Sequence, residues 1–144
     1  MPFEYAVHAD LNVILVRHWG EMQLREWLVS IDAIGNDPAN THSTNILADF
    51  RHISTLEFDD KAKRQLASLI SGLARLNESG KSCALWVESE AGAQFADILV
   101  KATRRVPNIA FRSFRDLDAA LQFLGIDPDR HRDWFNMARI GTAH

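Results

Sequence analysis

An apolar run that ends in polar groups, from Asn45 to His52, places the strongest constraint on the fold of this chain. Its sequence is Asn-Ile-Leu-Ala-Asp-Phe-Arg-His, and helical periodicity begins soon after it. Helices that alternate with short apolar runs are typical of α/β folds. The run therefore predicts a central strand, Thr44 to Phe50, that carries polar side chains to the rim of a sheet.

Two strands and one helix are predicted before this central strand. Glu4 to Ala9 alternates apolar with polar residues, as half-buried strands do, and Val13 to Trp19 forms a second strand that Gly20 ends. The short connection between them contains Asp10 and Asn12, which are turn residues, and so predicts an antiparallel hairpin. A helix follows, in which apolar residues recur at helical spacing: Leu24, Trp27, Leu28, Ile31 and Ile34.

After a predicted connector, Arg51 to Phe58, helices alternate with strands. The first helix has an apolar stripe of Leu66, Leu69, Ile70, Leu73 and Leu76. The later elements are a strand over Ser82 to Val87, a helix over Ala91 to Arg104, a strand over Ile109 to Phe114, and a short helix that ends at Gly125. Strands separated by helices are parallel, with right-handed crossovers.

The expected fold is therefore a single α/β domain over residues 1–144. Its five-stranded mixed sheet has an antiparallel N-terminal hairpin followed by three parallel strands, and it is packed with helices. Asp127 and Pro128 are residues that favour the start of a helix, and they predict an additional C-terminal helix over residues 127–140.

Composition excludes several classes of function. The net charge of −3 over 144 residues argues against a nucleic-acid-binding protein, which usually has a basic excess. Cys83 is the single cysteine, so no internal disulfide forms, and we expect an inert thiol in a buried strand. No apolar run approaches the roughly 18 residues of a membrane span. We expect a soluble, unprocessed cytoplasmic protein without a metal or other cofactor, since the six histidines lack metal-site spacing.

Two sequence segments and the order of elements carry a family resemblance. The order is β-β-α-β-α-β-α-β-α, the central strand ends in Leu-Ala-Asp-Phe-Arg, and a late segment reads Phe-Arg-Asp-Leu-Asp-Ala-Ala-Leu-Gln-Phe-Leu. From Glu4 to Gly125 this pattern resembles the SpoIIAA-like proteins of the STAS superfamily, which includes bacterial anti-sigma-factor antagonists and domains of sulphate transporters. The resemblance implies a bacterial regulatory module that binds another protein.

The phosphorylation switch of those antagonists is missing from this sequence. In the family, the strand that contains the aspartate is followed by an Asp-Ser-Ser-Gly segment whose serine is phosphorylated. The matching region here is Leu56 to Asp60, which contains neither serine nor glycine. The resemblance therefore implies the architecture and a binding role without this switch.

Polar residues that follow the predicted parallel strands form a candidate ligand site. In open α/β sheets, ligands bind beyond the carboxyl ends of the strands. The residues expected at this edge, called the predicted rim below, are Arg51, His52, Glu88, Ser89, Ser113 and Arg115. They could bind a small anion, or support acid–base chemistry if His52 met Glu88 or Asp49. In the structural alternative, Arg51 pairs with Asp49 or Glu88, and His52 is solvated.

The C-terminal helix carries large apolar side chains that must be covered. Leaving Trp134, Phe135 and Met137 in water would cost roughly 1.5–3 kcal/mol for each large apolar side chain. They pack either on their own domain or across a homodimer, and the sequence favours neither arrangement.

Three functional hypotheses follow. The leading one is a non-catalytic regulatory or protein-interaction module whose partner the sequence does not identify. The second is a small-ligand or lipid-binding protein, because related sheets occur in lipid-carrying Sec14-like proteins. The third is an enzyme that uses His52 with Glu88 or Asp49. An enclosed apolar cavity would favour a lipid-binding protein, and a flat apolar patch would favour the interaction module. A polar pocket at the predicted rim would favour either a small-ligand-binding protein or the enzyme.

Overall fold

A computed structural model describes residues 3–41, 44–76 and 81–137, and within these ranges it confirms the predicted α/β fold. The strands are β1 (Phe3–His8), β2 (Val13–Gln23), β3 (Asn45–Glu57), β4 (Lys81–Trp86) and β5 (Ile109–Phe114). The helices are α1 (Leu24–Gly35), α2 (Asp60–Leu76), α3 (Glu90–Thr103), α4 (Leu117–Phe123) and α5 (Pro128–Met137). None of the helices in the described ranges is long and apolar enough to cross a membrane.

The sheet has the strand order β1-β2-β3-β4-β5. The hairpin of β1 and β2 is antiparallel, as predicted, and pairs Phe3 with His18 at one end and His8 with Val13 at the other. Its connection is a single 3-10 turn that ends at Asn12, whose φ of 53° is the left-handed conformation that asparagine tolerates. β2, β3, β4 and β5 run parallel to one another, which leaves β1 as the one antiparallel strand in the described sheet.

The two long strands differ from the prediction. β3 continues to Glu57, so most of the predicted connector after Phe50 is strand, and β2 continues to Gln23 instead of ending at Gly20. Each extension supplies hydrogen-bond partners to the other, as far as the pairing of Gln23 with Glu57. Gly20, with a φ of 79°, lies at a shift in strand register, where glycine accommodates an irregularity.

Alternation along the strands divides the core between the two faces of the sheet. Ile14 and Val16 belong to the core on one face, and Val13 and Leu15 to the core on the other. The first face packs against α1, α2 and α3, and we call it the α1–α3 face. The second packs against α4 and α5, and we call it the α4–α5 face.

Two details of the helices on the α1–α3 face qualify the predicted pattern. Leu66 and Ile70 of α2 are buried as predicted, but Leu69 is exposed, because it lies at the margin of the apolar stripe. The side chains of Leu73 and Leu76 lie outside the described residues. Gly92, in the first turn of α3, lies so close to the carbonyl oxygen of Phe50 that any Cβ at this position would collide with it.

Helix α5 packs on its own domain. Phe135 is completely buried in the core of the α4–α5 face, and the ring centroid of Trp134 lies 4.9 Å from that of His8 in β1. Arg132 pairs with Asp118 of α4 at 2.6 Å. Of the two alternatives for the C-terminal helix, Trp134 and Phe135 thus follow the first, because both pack on their own domain. The side chain of Met137 and residues 138–140 of the predicted helix lie outside the described residues.

Candidate functional site

Of the predicted rim, Glu88, Ser89 and Arg115 follow the ends of their strands. Arg51 and His52 lie inside β3 rather than beyond its end, because the strand continues to Glu57. His52 and Glu88 are exposed, and in the described part of the chain no hydrogen bond joins His52 to Glu88 or to Asp49. The acid–base pair that the third hypothesis requires is therefore not formed. No group of three metal-ligating side chains occurs among the described residues either.

Two other residues of the predicted rim hold backbone in place. The Ser89 hydroxyl donates to the carbonyl of Ile53 at 2.8 Å and accepts from the Gly92 amide at 3.0 Å, so it caps α3. The Arg115 guanidinium donates to the carbonyl of Glu88 at 3.3 Å. Ser113 is exposed on β5.

Arg51 belongs to an ion-pair cluster around the fully buried carboxylate of Asp49, as the structural alternative predicted. Arg51 Nε lies 3.0 Å from Asp49 Oδ1, and Arg17 Nε lies 2.7 Å from Asp49 Oδ2. The backbone amide of Arg51 also donates to Asp49 Oδ1 at 3.1 Å. Burial alone would raise the pKa of Asp49, but the bonds from Arg51 and Arg17 outweigh it and hold the pKa below its usual value.

The same cluster connects three strands and a helix. Asp49 is the register partner of Arg17 on β2 and of Trp86 on β4. The Arg51 guanidinium lies 3.5 Å from the centre of the Trp86 ring, a cation–π contact. Arg17 also donates to the carbonyl of Phe135 in α5 at 3.4 Å. The cluster thus has a structural role, holding the sheet and α5 together.

Single substitutions in the predicted rim test this assignment. We expect Arg51→Ala to lower the free energy of unfolding by about 2 kcal/mol, because it removes a partner of a buried carboxylate and a contact with Trp86. His52→Ala should change the free energy by less than about 0.5 kcal/mol, because the side chain is exposed. Urea unfolding of both variants measures the two values. Equal losses in the two variants would contradict the structural role of Arg51.

A cavity of about 380 Å³ lies on the opposite side of the sheet, between the strands and the helices of the α1–α3 face. It is partly enclosed, and most of its walls are apolar side chains from β2, β3, β4, α1 and α3. They include Val16, Trp27, Ile34, Phe50, Leu85 and Leu99. Three further wall residues, Ser30, Ala48 and Cys83, have small side chains, which leave room that larger core residues would fill.

The cavity opens at the amino ends of the parallel strands. The lining residues at this end are exposed or half-buried, namely Gly35, Asn40, Thr41, Lys81 and Ile109, and they define the cavity mouth. Deeper wall residues such as Phe50 and Leu85 are 1% exposed. This position is opposite to the predicted rim, which was expected at the carboxyl ends of the strands.

His18 of β2 is a polar group deep in the cavity wall. It is 2% exposed, its ring stacks on Phe3 with centroids 6.0 Å apart, and Phe50 contacts it edge-on at 5.6 Å. Its Nδ1 atom is buried and has no hydrogen-bond partner among the residues that the structure describes. Burial lowers the pKa of His18 to about 4, although the charge of Asp49 acts in the opposite direction. The imidazole is therefore neutral at pH 7.

Lys81, at the start of β4, is the one lysine or arginine among the described residues that line the cavity. Its Nζ donates to Asn40 Oδ1 at 3.2 Å, and Asn40 in turn donates to the carbonyl of Ile34 at 3.1 Å. Burial lowers the pKa of the Lys81 ammonium. Across the described ranges, no Asp or Glu oxygen lies within 4 Å of its nitrogen.

Cys83 lies two residues further along β4. It is buried, as predicted, and burial raises the pKa of its thiol to about 12.

Comparison with known proteins adds no family assignment: the chain matches no protein-family model, and no curated protein is significantly similar to it. What the fold and the site define is an α/β protein with a mixed five-stranded sheet and a largely apolar cavity on one face. The functional inference therefore depends on this cavity.

Proposed function

We propose that this protein is a non-catalytic binding module that holds an apolar small molecule in the cavity on the α1–α3 face. The observation that carries the proposal is the cavity itself, about 380 Å³ in volume, with mostly apolar walls. Small-molecule sites typically have volumes of about 300–1,000 Å³ and apolar linings with a few polar groups. His18, Lys81 and Asn40 are such polar groups here.

The packing of proteins supports a ligand in this space. Protein interiors are packed as densely as organic crystals, with few voids larger than a water molecule. A void in a core forfeits the dispersion contacts of the side chains that line it. A ligand that contacts Trp27, Phe50 and Leu99 restores those contacts, and its own apolar surface leaves water.

The regulatory function that the SpoIIAA-like resemblance implies is the second candidate. One observation favours it: an open groove includes Leu56 to Asp59, in the region that matches the phosphorylated segment of the antagonists. Its walls combine the apolar residues Leu24, Leu28, Leu56 and Phe58 with the charged residues Arg25, Glu57, Asp59 and Lys61. In the described part of the chain, however, the exposed large apolar side chains Trp19, Val29 and Leu69 lie on three different elements. Each of β2, α1 and α2 therefore carries one of these three side chains.

A fluorescence titration tests the binding function. N-Phenyl-1-naphthylamine is an uncharged apolar dye whose emission rises in apolar surroundings, and we expect saturable binding with one dye per chain. Trp27 lines the cavity, so its emission should transfer energy to bound dye, and Trp27→Phe should reduce this transfer. Absence of saturable binding would contradict the proposed function and leave the groove as the candidate surface.

A substitution at the cavity mouth tests whether the dye binds in the cavity itself. Gly35 ends α1, lines the cavity, and has open space where a Cβ would lie. Gly35→Phe should therefore fold normally but weaken dye binding by about 10- to 100-fold, since filling an apolar space that the ligand needs costs about 1–3 kcal/mol. Val29→Phe is the matched control, because Val29 is an exposed residue of the same helix outside the cavity. Equal dye affinity in the two variants would indicate that the dye binds outside the cavity.

A further inference from the structure

We propose that the ligand of this cavity is a monocarboxylate with an apolar body, bound with its carboxylate at the Lys81 ammonium and its apolar part against the inner walls. This inference rests on the proposed function, and it names the chemical class of the ligand and its orientation.

The bonding of Lys81 indicates an anionic partner. An ammonium group has three donors, and here one of them meets the neutral oxygen of Asn40. No carboxylate of the described residues is within ion-pair distance, although burial already disfavours the charged form of this lysine. Burying a charge is costly unless it is paired and hydrogen-bonded. A ligand carboxylate at the cavity mouth supplies both the pairing and the hydrogen bonds.

The surroundings of the cavity mouth favour a ligand with one negative charge over a ligand with two. Helix α1 ends at Gly35, so its carbonyl end, which has a partial negative charge, lies at the mouth. Asp37 follows two residues later, and Tyr5 donates to its carboxylate at 2.8 Å. These groups oppose a second charge on the ligand, which Lys81 alone would have to balance. A carboxylate is therefore a better match than a phosphate monoester.

The inner part of the cavity determines the rest of the ligand. Trp27, Phe50 and Leu85 are buried apolar wall residues, and His18 stays neutral at pH 7. Among the described residues, Lys81 is the one charged side chain that lines the cavity, so the inner end of the ligand is uncharged. Together, a single cation at the mouth and an apolar interior fit a carboxylate that enters with its apolar part first.

Competition against the bound dye tests the inference. The competitors are dodecanoate, dodecanol, methyl dodecanoate and dodecyl phosphate, which share one alkyl chain and differ in the head group. We expect dodecanoate to displace the dye about 10- to 100-fold more effectively than dodecanol or the ester, as hydrogen bonds to charged groups are strong. Dodecyl phosphate should compete less well than dodecanoate. Equal competition by the acid and the alcohol would overturn the inference while leaving the binding function intact.

Variants of Lys81 test whether this lysine causes the preference for the acid over the alcohol. Lys81→Met should abolish the preference for dodecanoate over dodecanol, whereas Lys81→Arg should retain it. Lys101→Met is the matched control, because Lys101 is an exposed lysine of α3 that pairs with Asp97 at 2.8 Å. A full acid preference in Lys81→Met would overturn the inference. If that variant does not fold, the comparison of acid with alcohol in the unmodified protein decides the question.

If the dye does not bind to the unmodified protein, the proposal that the cavity holds apolar small molecules in general is contradicted. Calorimetric titration with dodecanoate then tests the monocarboxylate directly, and absence of heat would overturn this inference as well. The two failures are distinguishable, because a protein that binds dye without preferring the acid has the proposed function but a different ligand.

Discussion

Asp49→Asn is expected to lower the free energy of unfolding by roughly 3 kcal/mol, as breaking a buried ion pair by removing one partner typically costs 3–5 kcal/mol. The amide keeps the shape of the side chain but removes the charge that holds Arg17 and Arg51. The value lies at the lower end of the range because these two arginine side chains are 18% and 20% exposed and retain some contact with water.

Urea unfolding monitored by circular dichroism measures this effect. The matched control is Asp118→Asn, which removes a carboxylate from an ion pair with Arg132 whose side chains are 37% and 38% exposed. Exposed ion pairs contribute little to stability, so the control should lose far less than Asp49→Asn. Similar losses in the two variants would contradict the structural role of the Asp49 cluster. A changed urea dependence would instead indicate a change in the folded or unfolded ensemble.

The order of elements was predictable because each was specified by local pattern. The apolar run around Leu47 has the composition of a buried strand, and the stripe that includes Leu66 and Ile70 has the period of a helix. The extent of β3 was not predictable in the same way. Its last residues pair with β2, whose extension past Gly20 depends on a register irregularity rather than on composition.

The candidate site was harder to predict because it depends on contacts between distant segments. The pairing of Arg51 with Asp49 was among the alternatives, since two residues separate them on one strand. The bonds of Ser89 to Ile53 and of Arg115 to Glu88 give no such local signal. The cavity depends on how α1 lies over the sheet and on three small wall residues, Ser30, Ala48 and Cys83, which are unremarkable in sequence.

Acidification from pH 7 to pH 4 is expected to lower the free energy of unfolding by about 3 kcal/mol through His18 alone. Each unit of difference between the folded and unfolded pKa corresponds to about 1.36 kcal/mol. The pKa of His18 is about 4 in the folded protein, against 6.5 for an ordinary histidine. Between these values the unfolded chain binds a proton that the folded protein does not, so stability falls as the pH falls. The contribution is complete above pH 6.5 and lost at about pH 4.

Urea unfolding at pH 7, 6, 5 and 4 measures this dependence. His18→Phe should remove most of it, because phenylalanine suits a site between Phe3 and Phe50 and does not titrate. His52→Phe is the matched control and should keep the dependence, since His52 is exposed. Asp49, whose pKa lies below its usual value, loses its contribution only at more acidic pH and so does not account for a change above pH 4.5. An unchanged slope in His18→Phe would contradict the burial of a neutral imidazole in the cavity wall.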